Sequence, residues 1–234
     1  MANKNPVQAT EGQALNREVT EPSSGFEQAG ASGHGRWSDF VKSAFDKIVV
    51  VVTAPLWVPL VFILGTIVRL GDGGPMFFRR RVVGCSEDFD AFKLRSMRID
   101  ADAWLARDPA LLKEYQRNFK LQDDPRVTKV GRALRKYSLD EIPQLWNVLR
   151  GEMSLVGPRM VTAPELEKYG PFRRQLLSVK PGLTGYWQVS GRQNVSYEER
   201  VKMDLFYIQN HSLWFDLKIL LKTVWKVVTR EGAF

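Results

Sequence analysis

Cysteine is nearly absent: the 234 residues contain one, Cys85. That excludes a disulfide framework and a cysteine-built zinc cluster, and it suits a reducing compartment. Histidine is almost as scarce. His34 and His211 lie too far apart for a local His-x-x-His ligand pair, and a Ser-His-Asp hydrolase would have to rest on one of them. Acidic charge is in deficit, with 26 Asp and Glu against 34 Lys and Arg, a net charge of +8 and a pI of about 9.6. Residues 1–36 lack what a core needs: they hold one aromatic (Phe26), no sustained apolar period and a net charge of −1. They read as a disordered tail. They show neither the basic and apolar regions of a signal peptide nor the Arg-rich pattern of a transit peptide. The remainder, at +9 and with apolar residues enough for a core, asks for a polyanion partner: nucleic acid, an anionic membrane surface or a phosphorylated substrate.

Charge is missing altogether from Ile48 to Val68, 21 residues between Lys47 and Arg69. A straight helix of that length covers roughly 31 Å, enough to cross a hydrocarbon core. Hydropathy alone reads as one spanning helix, and a buried core helix is a third option. Two features favour a helix that enters one leaflet and turns back. Pro55 and Pro59 each remove an amide donor and clash with the carbonyl four residues earlier, which predicts a sharp break. Lys42 and Lys47 precede the run while Arg69, Arg79, Arg80 and Arg81 follow it, so both flanks belong on the cytoplasmic side. The backbone freed at the break needs partners, with the Thr53 hydroxyl a candidate.

Beyond the turn cluster Gly71–Pro75, Met76–Val83 and Phe89–Ile99 read as extended and residues 101–120 as helical, followed by a helix through Val130–Lys136. Another helix opens at Ser138, with Pro143 in its first turn and Gly151 past its end. Leu183–Ser190 reads as extended and Tyr197–Tyr207 as helical. From Ser212 onward Lys218, Lys222, Lys226 and Arg230 recur every four residues beside Trp214, Leu217, Leu221 and Trp225. This is the composition of a helix lying in a membrane interface, or of an ordinary amphipathic helix closing the core. The expected fold is α/β with mostly helices: a monotopic membrane-associated chain with a tail (1–36), a re-entrant helix-break-helix hairpin (37–70) and a cytoplasmic catalytic domain (71–234) ending in an interfacial helix.

Asp140-Glu141 is the pair best placed for chemistry. The plain reading is a capping box, with Ser138 as cap and Glu141 reaching back. The functional reading uses the same geometry: a carboxylate at a helix N-terminus stays ionised and available as a nucleophile, and its neighbour can hold a divalent cation. Lys93, Arg95, Arg126, Arg135, Arg159 and Arg192 lie at element ends or beside Pro or Gly, where guanidinium forks can clamp phosphate; each alone also fits a solvated surface charge. Asp100-Ala101-Asp102 matches a short metal motif weakly and reads as surface. Tyr186-Trp187 could stack on a nucleobase or be a buried aromatic pair at a strand.

The strings Phe92–Met97, Asp124–Arg126, Leu134–Asn147, Gly151–Arg159, Lys180–Gly185 and Trp187–Arg192 resemble the bacterial sugar transferase family, the monotopic phosphoglycosyl transferases. The likeness runs from about Lys42 to the C-terminus and is to the short form that holds only the catalytic domain. It implies transfer of a hexose-1-phosphate (glucose or galactose) from a UDP-sugar to undecaprenyl phosphate at the cytoplasmic face of the inner membrane, initiating exopolysaccharide synthesis. It also implies Asp140 as the nucleophile that forms a phosphosugar-aspartyl enzyme, Glu141 as the Mg2+ ligand, and Lys93, Arg135, Arg159 and Asp204 around the site. Inner-membrane lipids are implied partners and nucleic acid is not; self-association is left open. Val58-Pro59 stands where members often carry Ser-Pro, Val82 where they carry Arg, and Met160 where they carry Pro. The competing class is a non-catalytic membrane-attached protein whose basic surface binds nucleic acid or anionic lipid.

Overall fold

A computed structural model describes residues 36–119, 121, 123–190 and 196–229; the predicted tail up to residue 35 and the loop carrying Arg192 lie outside them. The apolar run is the middle of one long helix, α1 (Arg36–Asp72), with Asp39 in its first turn and Arg69 in its last, each complementing the helix dipole. By length and composition it could cross a membrane. Pro55 and Pro59 lie inside a single helical element, so the helix is assigned without interruption across the predicted break. Each proline deletes one backbone bond, and the bonds around it carry the helix through. Thr53 does not repair the gap either. Its hydroxyl donates to the Val49 carbonyl (2.7 Å), and the Trp57 indole N–H donates to the Val50 carbonyl (3.0 Å), both upstream of the freed Val51 carbonyl.

Both ends of α1 pack on the same globular body. Towards the N-terminal end, Val50 joins the core of Val148, Leu155 and Val156, and the Asp46 carboxylate accepts from the Ser154 hydroxyl at 2.6 Å. Towards the other end, Val61 and Val68 pack with Leu94 and Leu134, and Gly65 lets Met76 and Leu94 come close. Between them Leu56, Val58 and Leu60 are exposed, while Trp57 touches both clusters.

The hairpin β1 (Phe77–Val82) and β2 (Phe89–Leu94) is antiparallel, with Phe77 opposite Leu94 and Val82 opposite Phe89. The expected helix over 101–120 is two, α2 (Ala101–Ala106) and α3 (Pro109–Asn118), because Asp108 caps the Ala110 and Leu111 amides and Pro109 starts a new helix. Then come α4 (Lys129–Lys136), a 3₁₀ turn (Leu139–Gln144) and α5 (Leu145–Arg150), which ends on left-handed Gly151. Strand β3 (Ser154–Val156) pairs in parallel with β4 (Gly182–Thr184) across α6 (Ala163–Leu166), a second 3₁₀ stretch (Glu167–Phe172) and α7 (Arg173–Leu176).

The extended reading of Leu183–Ser190 holds only to Thr184. The chain turns at Gly185, whose α-carbon lies so near the Gly157 carbonyl that a Cβ would sit 2.3 Å from it, and continues as α8 (Tyr186–Ser190). Two helices close the chain, α9 (Tyr197–Asn210) and α10 (Leu213–Thr229). In α10 Asp216 and Ile219 are buried, whereas Trp214, Leu221, Trp225 and Val228 are exposed beside Lys218 and Lys222. Most of its large apolar side chains therefore face away from the core.

Candidate active site

The acid pair sits on the 3₁₀ turn after α4, and the way the chain enters that turn decides what the pair can do. Ser138 adopts a left-handed conformation (φ 55°) and caps nothing with its side chain, so the capping box does not form. The Glu141 side chain goes elsewhere: its Oε1 accepts from Lys93 Nζ of β2 at 2.6 Å. The reversal at Ser138 also brings Arg135, on the last turn of α4, back towards the pair. Arg135 Nε donates to the Ser96 hydroxyl at 2.9 Å, and α4 itself is pressed on the Ser96 carbonyl, which a Cβ on Gly131 would meet at 1.8 Å.

Asp140 is buried, and burial pushes its carboxyl above the usual range; Glu141 adds to the rise while Lys93 and Arg135 oppose it. A short 3₁₀ turn thus supplies too little dipole to offset that desolvation, and the helix terminus does not hold Asp140 below its usual range. For Glu141 burial also works upward, but Lys93, Arg159 and Arg135 outweigh it and hold the carboxyl below its usual range. The two neighbours are driven apart, the pattern that gives paired carboxylates separate roles.

Behind Arg159 lies a second group of charges. Asp204 of α9 is fully buried, accepts from the Tyr169 hydroxyl at 2.8 Å and lies 3.9 Å from Arg200 Nε one turn earlier. Burial raises it to about 6. Arg159 and Arg200 both lie over the Trp187 ring, at 5.5 and 5.2 Å from its centroid. Glu165 accepts from the Thr162 amide at 2.8 Å and from Arg80 at 3.2 Å, closing the group on the β1 side.

Residues 37–230 match the family model described as bacterial sugar transferase. The chain belongs to the bacterial sugar transferase family. It is 45% identical over 201 residues to the UDP-galactose-lipid carrier transferase of Erwinia amylovora, covering 84% of this chain and 42% of that protein. It is 43% identical over 208 residues to the undecaprenyl-phosphate galactose phosphotransferase of Salmonella typhimurium, covering 85% and 43%. The chain thus spans less than half the length of these two relatives. It spans most of a shorter one, the exopolysaccharide production protein ExoY of Sinorhizobium fredii: 43% identity over 198 residues, 82% of this chain and 88% of that protein.

Among the residues singled out in this sugar transferase chain, the structure gathers Lys93, Arg135, Asp140, Glu141 and Arg159, with Asp204 next to Arg159. It takes two away. Arg95 is buried with its fork on Asp72, the last residue of α1, and it also donates to the Pro75 and Met97 carbonyls at 2.8 and 3.1 Å. Arg126 is buried in a two-pronged pair with Asp124 (2.8 and 2.7 Å) and lies over the Tyr115 ring. Both are structural clamps rather than phosphate ligands. Nucleobase stacking on Tyr186-Trp187 also fails, because Tyr186 packs on Phe206 and Phe215 while Trp187 carries the two guanidiniums. Sequence reasoning missed Arg200, Tyr169 and Glu165. The four-residue spacing of Arg200 and Asp204 on a predicted helix was the one signal available.

Proposed function

We propose that the protein transfers a hexose-1-phosphate, galactose or glucose, from a UDP-sugar to undecaprenyl phosphate, releasing UMP and initiating exopolysaccharide synthesis. The observation that carries this reading is the pair of buried Asp140 and half-buried Glu141 ringed by Lys93, Arg135 and Arg159. Two carboxylates among three cations match a reaction in which a carboxylate attacks a phosphoryl group whose charge must be neutralised. The Erwinia and Salmonella relatives, named for a galactose carrier and an undecaprenyl-phosphate substrate, fit it.

In the first half-reaction an Asp140 carboxylate oxygen bonds to the β-phosphorus. The bond from that phosphorus to the bridging oxygen breaks, and UMP leaves with the bridging oxygen. In the second, an oxygen of the lipid phosphate attacks the same phosphorus and returns the carboxylate. Burial makes Asp140 a more basic, hence stronger, nucleophile once ionised, and Lys93 and Arg135 draw the phosphate charge towards it.

Among the described residues no group of three or more His, Cys, Asp or Glu could cage a metal. That donor set suits Mg2+, which is commonly held by one or two carboxylates together with substrate phosphates. Glu141, whose Oε1 takes Lys93, is the residue that would hold it. When bound, the ion would neutralise diphosphate charge.

The membrane arrangement follows from the packing of α1. Both its ends rest on one globular body while Leu56–Leu60 stay largely exposed, which supports a helix dipping into the cytoplasmic leaflet of the inner membrane with neither flank crossing. The exposed Trp and Leu face of α10 would lie in the same interface. The test is release of UMP from a panel of UDP-sugars by the purified chain, with and without undecaprenyl phosphate and Mg2+. Formation of the lipid-linked product, together with UMP–UDP-sugar exchange when lipid is omitted, is expected. Exchange that requires lipid would replace the covalent route by direct transfer, and no release from any UDP-sugar would end the reading.

A further inference from the structure

The Trp187 ring brings together two guanidiniums, those of Arg159 and Arg200. Arg159 comes from the turn after β3, where Glu141 and Glu165 act on it, and Arg200 comes from α9, with Asp204 at 3.9 Å. Arg200 is 9% exposed, yet its Nε and one terminal nitrogen have no hydrogen-bond acceptor among the described residues. Its nearest carboxylate oxygen, on Asp204, stands at 3.9 Å and already takes the Tyr169 hydroxyl. The Trp187 indole N–H is buried and also unaccepted among the described residues. Buried donors left open at a charged fork are costly, and acceptors in a shared plane are what they lack.

We propose that Arg159, Arg200 and the Trp187 N–H form an anion subsite for the α-phosphate of the nucleoside diphosphate donor, and so for the phosphate of the UMP product. This rests on the transferase reading and adds to it a division of labour. Lys93 and Arg135 are the cations that act on Asp140, so the phosphoryl group under attack belongs with them. Arg159 acts on Glu141, and Arg200 in turn acts on Arg159. Arg159 thus neighbours the acid pair and shares the Trp187 ring with Arg200, and the second phosphoryl of a diphosphate held at Asp140 is assigned to the cations over that ring. Arg200 would hold the leaving nucleotide, not the sugar phosphate. Tyr169 and Asp204 are positioning residues that keep Arg200 against the indole.

The experiment compares UMP and uridine binding to the full chain by calorimetry, without lipid. The ratio of their dissociation constants isolates the phosphate. In wild type UMP should bind at least tenfold tighter than uridine. Arg200→Met should reduce that ratio about 10- to 100-fold, as for a lost charged hydrogen bond. Arg200→Lys, which keeps charge without the fork, should fall between and decides the question if Arg200→Met does not fold. Trp187→Phe should lower the ratio less. An unchanged ratio in folded Arg200→Met, or in Arg200→Lys where that is the only folded variant, would overturn the subsite while leaving wild-type transfer intact. A wild type that binds UMP no better than uridine would overturn it too. Absence of UMP release from every UDP-sugar would instead bring down the transferase reading on which it stands.

Discussion

Arg95→Met separates a phosphate ligand from a clamp. The side chain is 6% exposed and joins three places: Asp72 at the end of α1, the Pro75 carbonyl and the Met97 carbonyl. Methionine fills much of the volume but returns none of these bonds. Losing one member of a fully buried pair costs about 3–5 kcal/mol. Asp72 keeps 32% of its side-chain surface in water and can recover part of its solvation, which places this case near the lower end. The two carbonyls then lose a charged donor. The expected loss is about 3 kcal/mol, or roughly 6–12 °C in Tm for a chain of this size. Thermal unfolding in detergent measures it, and donor KM, taken at a temperature where the variant is folded, should stay within about twofold of wild type. A Tm within about 2 °C of wild type, with donor KM raised tenfold or more, would refute the clamp and return Arg95 to the phosphates.

Asp140→Asn should abolish turnover and leave no labelled protein after incubation with a UDP-sugar carrying radioactive β-phosphate; retained turnover would remove Asp140 as nucleophile. Glu141→Gln should slow the reaction and shift its Mg2+ titration, and a titration like wild type would take the metal away from Glu141. Pro55→Leu with Pro59→Leu restores two helix bonds and should carry the N-terminal arm to the periplasm; a cysteine at Ser43 in a Cys85→Ser background should react with an impermeant thiol reagent only in that variant, and labelling of the otherwise wild-type helix would mean that it spans. Asp204, held up at about 6 from 3.8, binds its proton more tightly in the native state, so its contribution is full below about pH 4 and lost as pH rises through 6. Wild type should lose about 2 kcal/mol against Asp204→Asn between pH 4 and pH 7 in denaturant titrations, and a constant difference would contradict the buried carboxyl.

What was legible in the chain was what local rules control. The apolar run, the two extended segments that become β1 and β2, the Gly151 stop and the α10 amphipathic pattern each follow from periodicity or turn chemistry and appear where expected. The acid pair was singled out, and the capping box that spacing offered as its plain reading does not form. Glu141 instead pairs with Lys93, 48 residues earlier, a contact that local spacing does not reveal. Arg95 and Arg126 could not be told from Arg135 and Arg159 by sequence position, because all four stand beside turns. The difference is whether a carboxylate already fills the fork, and for Arg95 that carboxylate lies 23 residues away. Arg200 escaped notice because a helix interior hides which side chains share an indole on another element.

The placement of Lys93 ties the membrane helix to the chemistry. Lys93 precedes Leu94, which packs on Val68 and Gly65 of α1, and Arg95, which grips Asp72 at the end of that helix. The two residues after Lys93 are therefore anchored on α1, and β2 can hold Lys93 against Glu141 only while that end of the helix is seated. At the other end, Lys42 pairs with Asp216 of α10, and Asp216 also accepts from Tyr207 at 2.7 Å. The helix that would enter the lipid is thus also a wall of the core, pinned at one end to the strand that orients the acid pair. A membrane segment bolted on by a flexible linker would let the acid pair and the lipid phosphate drift relative to each other. Here, a shift of α1 has to move Lys93 with it, so the position of the helix and the geometry at Glu141 are set together.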